Sequence, residues 1–292
     1  MFLSFSNVAV AIALLTERCF AQSPGSPVSS DVWTKIVRYT DFASAAYGDS
    51  CDTPPYGSVA VQYFNDAFSD THATLFRDDT AKEVIISFRG TASPKNLATD
   101  LEFDLVPLTA TGTQCSNCKV HKGFQSSFEV LSDSVTSAIK SQLGQHSGYT
   151  FTVTGHSLGG GIAAIATSSF IAQGLKVANT FTFGEPRNGD QNWIKYISGQ
   201  IPDANYYRVT HASDGVPQIP PQDLGYYQHG IEYWESQLQN NSASTTYNCG
   251  TQSTSCNAGQ SFGNQPINGA HLTYTNTVIG SSLHIPACGA TD

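Results

Sequence analysis

The stretch YTFTVTGHSLGGGIAAIATSSFIAQG, residues 149–174, decides how this chain is read. An alternating apolar run ends at Thr154, Gly155 and Gly159 stand two residues either side of Ser157, and a run of small apolar residues follows at helical spacing. A strand that turns sharply into a helix around Gly-x-Ser-x-Gly holds the serine in a strained conformation at the end of a sheet. The two glycines leave space where side chains would collide in so tight a turn. The turn also sets the amide of Leu158 beside the serine hydroxyl, at a helix amino terminus that carries partial positive charge. Ser157 is therefore a candidate nucleophile, and a glycine-rich loop that merely packs a helix on a sheet is the plain alternative.

Working outward, the chain alternates strands and helices. An amphipathic helix is expected over residues 31–46, capped by Ser29 or Ser30, then strands at 59–64, 73–77 and 83–90 and a helix at 124–143. After the opening stretch come a strand at 177–184, a short helix near 192–197 and a strand at 205–211. This order predicts one α/β domain with a mainly parallel sheet covered by helices on both faces. In such sheets ligands bind beyond the carboxyl ends of the strands, so the residues following Arg89, Thr154, Gly184 and His211 are the ones to inspect.

The chemistry must complete Ser157. A serine hydroxyl is a weak nucleophile until a histidine takes its proton, and the histidine needs an acid to orient it. Asp214 follows the strand at 205–211 in THASDGVPQIPP, where Gly215 and Pro217 fix a turn. Asp190, in RNGDQ, has the setting of a helix cap. The histidines beyond Asp214 are His229, His271 and His284, and the residues alone leave the three close to equal.

Composition bounds the rest. The 292 residues are 40% apolar and 13% charged, enough to bury a large core in one domain. A formal net charge of −9 with no Lys/Arg cluster argues against nucleic acid and anionic membranes as partners and suits a neutral or apolar substrate. The apolar run at residues 8–15 is too short to span a bilayer, and Cys19-Phe20-Ala21 fits a cleavage site, so residues 1–21 read as a secretory signal and 22–292 as the mature domain. Six cysteines then remain, an even count that in an exported chain argues for disulfides. Sequence proximity favours Cys115 with Cys118 and Cys249 with Cys256, which leaves Cys51 for Cys288. A redox pair at Cys115 and Cys118, or a zinc site with His121, is the weaker reading. Asn240-Asn241-Ser242 offers a glycosylation acceptor at Asn240.

Seven blocks, GHSLGG, FRGTASPKNL, CKVHKGF, FTFGEPRNGD, YRVTHASDGVPQIPP, GYYQHGIEYW and GAHLTY, resemble in this order the secreted fungal class 3 lipases and their feruloyl esterase relatives. The likeness covers nearly all the mature chain. It implies an α/β-hydrolase fold, with Ser157 as nucleophile, Asp214 as orienting acid, His271 as base, Thr91 and Leu158 as the oxyanion hole, and a short lid over residues 92–104. It also supports the three cysteine pairings.

For the substrate, the polar lid sequence ASPKNLATDLEFD departs from a broad apolar lid and argues against strong interfacial activation. Two positions where the feruloyl esterases carry tyrosine hold Phe103 and Phe124 here. Without those hydroxyls an acyl-chain pocket is expected, with Phe103, Phe124, Val216 and Ile219 as lining. The expectation is a secreted, monomeric lipase acting on acylglycerols, dispersed or at an oil–water interface, with no metal or organic cofactor and no stable membrane insertion. A feruloyl esterase is the alternative substrate class. A catalytically inactive binding protein on the same fold is the alternative from another class, disfavoured because all three triad positions are filled.

Overall fold

The computed structural model describes residues 24–91, 103–281 and 283–289. The expected signal at residues 1–21 and nearly all of the expected lid lie outside these described residues.

The strands are β1 (Ser26–Pro27), β2 (Val59–Asp66), β3 (Thr71–Asp78), β4 (Glu83–Phe88), β5 (Leu105–Pro107), β6 (Lys119–His121), β7 (Thr150–His156), β8 (Val177–Phe183), β9 (Tyr206–His211), β10 (Ile231–Glu235), β11 (Thr246–Gly250), β12 (Thr273–Tyr274) and β13 (Thr277–Val278). Nine of them form one sheet in the order β1-β11-β10-β9-β8-β7-β4-β3-β2. Strands β4, β7, β8, β9 and β10 run parallel, while both edges are antiparallel. The parallel strands are closed in on both faces: every residue of β4 is buried, as is every residue of β7 after Thr150. That two-sided burial is why these strands read as near-continuous apolar or small-residue runs.

Helix α1 (Ser30–Ala45), capped by the Ser29 side chain on the Val32 amide, covers one face. Its Ile36, Tyr39 and Phe42 pack with Phe76, Phe181, Phe183 and Val209. The other face carries α2 (Lys122–Gln145), α3 (Leu158–Ala172) and α4 (Gln191–Gln200). Here Phe128, Val135, Ile162, Ile165 and Trp193 pack with Val84, Ile86 and Val153. Helix α3 is buried on nearly all sides, so its apolar residues form no single stripe. Asp190 caps α4 by accepting from the Trp193 amide at 2.9 Å. That capping role sets Asp190, the next candidate after Asp214, apart from the acid that must orient the histidine.

Three disulfides, Cys51–Cys288, Cys115–Cys118 and Cys249–Cys256, tie the chain in the expected pairing. The first joins the segment after α1 to a residue 237 positions away. With Cys115 and Cys118 bonded to each other, they hold no metal.

Candidate active site

The site collects at the carboxyl ends of the parallel strands. β4 leads to Thr91, β7 to Ser157, β9 to Asp214, and the long segment after β11 returns over the sheet with His271. Ser157 has φ 59° and ψ −129°, a conformation that costs an ordinary residue about 1–3 kcal/mol and is held by its surroundings. Its amide donates to the Phe183 carbonyl at 2.8 Å, which fixes the elbow to β8. The flanking glycines are required by contact. A Cβ on Gly155 would lie 2.2 Å from the Gly159 carbonyl oxygen, and one on Gly159 would lie 2.1 Å from that of Phe88. Only bare backbone lets α3 start this close to β7 and β4.

Ser157 Oγ lies 2.9 Å from His271 Nε2, and His271 Nδ1 lies 2.9 and 3.1 Å from the two oxygens of Asp214. The three are nearly excluded from solvent, at 3%, 2% and 0% exposure. A buried carboxylate needs its hydration replaced. Asp214 receives the His271 ring, the Val216 amide at 2.9 Å and the Tyr274 hydroxyl at 2.5 Å. Burial and the Asp214 charge raise the Tyr274 phenol well above its ordinary range, so it stays a donor.

The backbone carrying His271 is clamped from several sides. Asn268 accepts the His271 amide on its side chain at 3.2 Å and donates to the Ser213 carbonyl at 2.8 Å, joining the histidine segment to the aspartate turn. A ring nitrogen of His211 meets the Ala270 carbonyl at 2.8 Å. His156, between Gly155 and Ser157, holds the third clamp. Its Nδ1 is 2.7 Å from the Tyr47 hydroxyl and its Nε2 is 2.9 Å from the His271 carbonyl. Burial, then the neighbouring His271, push the His156 ring well below the ordinary histidine range. It is therefore neutral, with Tyr47 donating to Nδ1 and Nε2–H donating to the carbonyl. The Tyr47 hydroxyl also lies close against Gly90, one residue before Thr91, where a Cβ would come within 2.2 Å of it.

A recess beside Ser157 is lined by Tyr47, Thr91, His156, Ile267, His271, Leu272 and Gly280. Thr91, at the end of the segment that follows β4, is thus beside Ser157. Leu158 is the first residue of α3, so its amide has no partner within the helix. The four residues expected to line an acyl pocket do not stand together at this recess. Phe124 is 0% exposed, stacked on His121 at a centroid distance of 3.9 Å, and fills the space under Gly161 of α3. Val216 is also fully buried in the same core, and Ile219 packs partly buried against it. Phe103 is 37% exposed. Helix α2 starts at Lys122, which turns Phe124 inward as core; Ile267 and Leu272 are the apolar residues actually found beside Ser157.

His229 and His284 do not join this cluster. His229 is buried against Glu185 at 2.9 Å, beneath the sheet end. Tyr274, Tyr47, His156 and Asn268 were not foreseen. The one signal they gave was type: a tyrosine or histidine inside an apolar run must find a polar partner when buried. Asn240 is exposed, at φ 59°, in the turn before Asn241. Among the described residues no group of three or more His, Cys, Asp and Glu is arranged to hold a metal, and no helix is long and apolar enough to cross a membrane.

Comparison with known proteins agrees with this architecture. The family Lipase (class 3) matches residues 85–224. The secreted mono- and diacylglycerol lipase A of Penicillium cyclopium is 26% identical over 264 residues, 84% of each chain. A lipase of Rhizomucor miehei is 36% identical over 185 residues, covering 62% of this chain and 48% of that one. Among solved structures, lipase II from Rhizopus niveus superposes with a TM-score of 0.77 at 25% identity, over 88% of this chain and 99% of that one. Fold and likeness together define an α/β-hydrolase, and within that class an ester-hydrolysing serine hydrolase. The chain belongs to the class 3 lipase family.

Proposed function

We propose that this protein is a secreted lipase that hydrolyses acylglycerols through an acyl-enzyme on Ser157. The observation that carries the reading is the continuous hydrogen-bonded series from Ser157 Oγ through His271 to Asp214 at a strained strand-helix turn. His271 Nε2 takes the proton from Ser157 as Oγ attacks the ester carbonyl. Asp214 keeps the proton on Nδ1 and balances the charge that forms on the ring. The amides of Thr91 and Leu158 receive the developing oxyanion, with the α3 amino terminus adding to the field. His271 then protonates the leaving alcohol, and a water activated by the same nitrogen releases the fatty acid.

The substrate assignment is supported by the absence of a tyrosine hydroxyl at Phe103, by Ile267 and Leu272 beside Ser157, and by relatives named as lipases, one of them for mono- and diacylglycerols. Of the expected lining residues, Phe103 and Ile219 keep partial exposure, and these two are the proposed contacts for an acyl chain. Three disulfides and the apolar leader support export, and the exposed Asn240 serves as a glycosylation site.

Ser157→Ala is expected to lower turnover by on the order of 10⁴-fold or more while the fold survives. The test is the purified variant in a hydrolysis panel of tri-, di- and monoacylglycerols and methyl ferulate, with and without an oil interface. Substantial residual turnover would remove Ser157 from its role. Preference for methyl ferulate would overturn the substrate class and leave the mechanism standing.

A further inference from the structure

A second polar cavity, of about 150 Å³, lies behind the turn that carries Asp214. Its walls include Arg187, Arg208, Gln228, Glu232, Asn257 and Ala258. The segment from Gln252 to Ala258, which lies largely inside the Cys249–Cys256 loop, forms one side. Asn257 ties that side to the Asp214 turn by donating to the Asp214 carbonyl at 2.7 Å.

The charge of this cavity is out of balance. Arg187 and Arg208 are 8% and 2% exposed, yet Glu232 is the single carboxylate on the lining, 3.9 Å from Arg208 Nη2. Both Glu232 oxygens are already engaged: Oε1 accepts from the Thr210 hydroxyl and the Asn257 amide, and Oε2 faces Arg208. Among the described residues Arg187 has no carboxylate partner. Its Nη1 donates to the Gln218 and Pro220 carbonyls, while Nε has no partner. Arg208 donates Nε to the His229 carbonyl at 3.1 Å. Burial and the charge of Arg208 hold the Arg187 guanidinium down at about 10, as expected of a buried cation whose neighbour is another cation. The lining also carries one unmatched acceptor. Gln228 donates its amide nitrogen to the Glu185 and Pro217 carbonyls, which fixes the side chain, and its Oε1 has no partner.

Two buried guanidinium groups beside one saturated carboxylate are matched by an anion, and planar guanidinium forks suit the oxygens of phosphate. The volume admits such a group with a few waters, and the polar lining disfavours an acyl chain. We propose that this cavity is a binding site for a phosphate group, held between Arg187 and Arg208. An occupant there braces the disulfide-closed segment against the Asp214 turn, so ligation stabilises the fold around the acid.

The test is thermal unfolding and calorimetric titration of the whole protein in a phosphate-free buffer, at ionic strength held constant with chloride. The probes are inorganic phosphate and glycerol 3-phosphate. Saturable binding is expected, with the unfolding midpoint rising by several degrees once phosphate exceeds its dissociation constant about a hundredfold. Arg187 also anchors the 218–220 backbone, so its variants risk misfolding. Ala258, exposed at the mouth of the cavity, takes the substitution instead. Ala258→Glu places a carboxylate there and is expected to abolish the response, whereas Ala258→Gln, of similar size and neutral, keeps it. Binding by both probes identifies a phosphomonoester group as sufficient, and binding by inorganic phosphate alone identifies the free ion. A wild-type response no larger than that to chloride, or equal responses in the Glu and Gln variants, overturns the assignment.

Discussion

At Ser157 the backbone is forced to φ 59°, and nothing about serine favours that value; the contacts around it do. The nearest constraint is Gly159. With its missing Cβ 2.1 Å from the Phe88 oxygen, a methyl group meets backbone at the end of the buried strand β4, which cannot rotate away. Gly159→Ala is expected to cost roughly 3 kcal/mol, the upper end for overpacking, seen as a lowered denaturant midpoint. This requirement was legible in Gly-x-Ser-x-Gly. The role of Tyr274 was not, although it lies three residues beyond His271 in GAHLTY, because its hydroxyl meets an aspartate 60 residues earlier in the chain. Tyr274→Phe keeps the packing and strips one donor from a fully buried carboxylate. A hydrogen bond to a charged group is worth about 1.5–3 kcal/mol, so stability should fall by that order. If part of the bond is needed to steady the base, kcat drops roughly tenfold with KM unchanged, which steady-state kinetics on a soluble ester would read. Unchanged stability and kcat would mean the Val216 amide and His271 satisfy Asp214 alone.

The elements that position the site were legible in proportion to how uniformly they are buried. Strands β4, β7, β8 and β9 are enclosed on both faces and show as apolar or small-residue runs, and each reads to within two or three residues of its bounds. Strand β10 is parallel to β9 and just as central, yet its sequence IEYWE carries Glu232 and Glu235, both buried, and breaks the pattern. Strand β11, TYNCG, is short and polar because it lies near the sheet edge. Long-range pairing decides such strands, and no local window contains it. The same holds for the clamp that joins three elements through His156: the segment after α1 at Tyr47, the β7 elbow and the His271 segment. Tyr47→Phe removes the donor to His156, and His156→Phe removes both bonds. Because they act through one chain of bonds, their effects on kcat/KM should not add. A double-mutant cycle is expected to return a coupling of about 1 kcal/mol, and strict additivity would show that the two residues only fill space.

The whole molecule is closed on itself by Cys51–Cys288, which spans 237 positions. The chain-entropy treatment assigns a loop of that size about 5 kcal/mol through the unfolded state. Cys51→Ala with Cys288→Ala should therefore lower the unfolding midpoint by about 10 °C or more, measured by calorimetry. Set against this constraint are three buried groups whose titration opposes one another. His121 is drawn down to about 4 by burial, and burial with the neighbouring His271 holds His156 well below the ordinary histidine range. Each binds its proton more readily unfolded, so each contribution is complete above the ordinary histidine value of 6.5 and is lost as pH falls below it. Glu235 works in the other direction. Burial pushes it up to about 8 from 4.5, partly offset by the Thr275 amide. Between those values the native chain holds the proton that the unfolded chain has released, so the Glu235 contribution is full below pH 4.5 and declines as pH rises toward 8. Glutamine resembles the protonated acid and does not titrate. Glu235→Gln is thus expected to leave the denaturant midpoint at pH 5 nearly unchanged and to raise it at pH 8, flattening the fall that the wild type shows between them. Parallel curves for the two proteins over that range would place the alkaline loss of stability elsewhere in the structure.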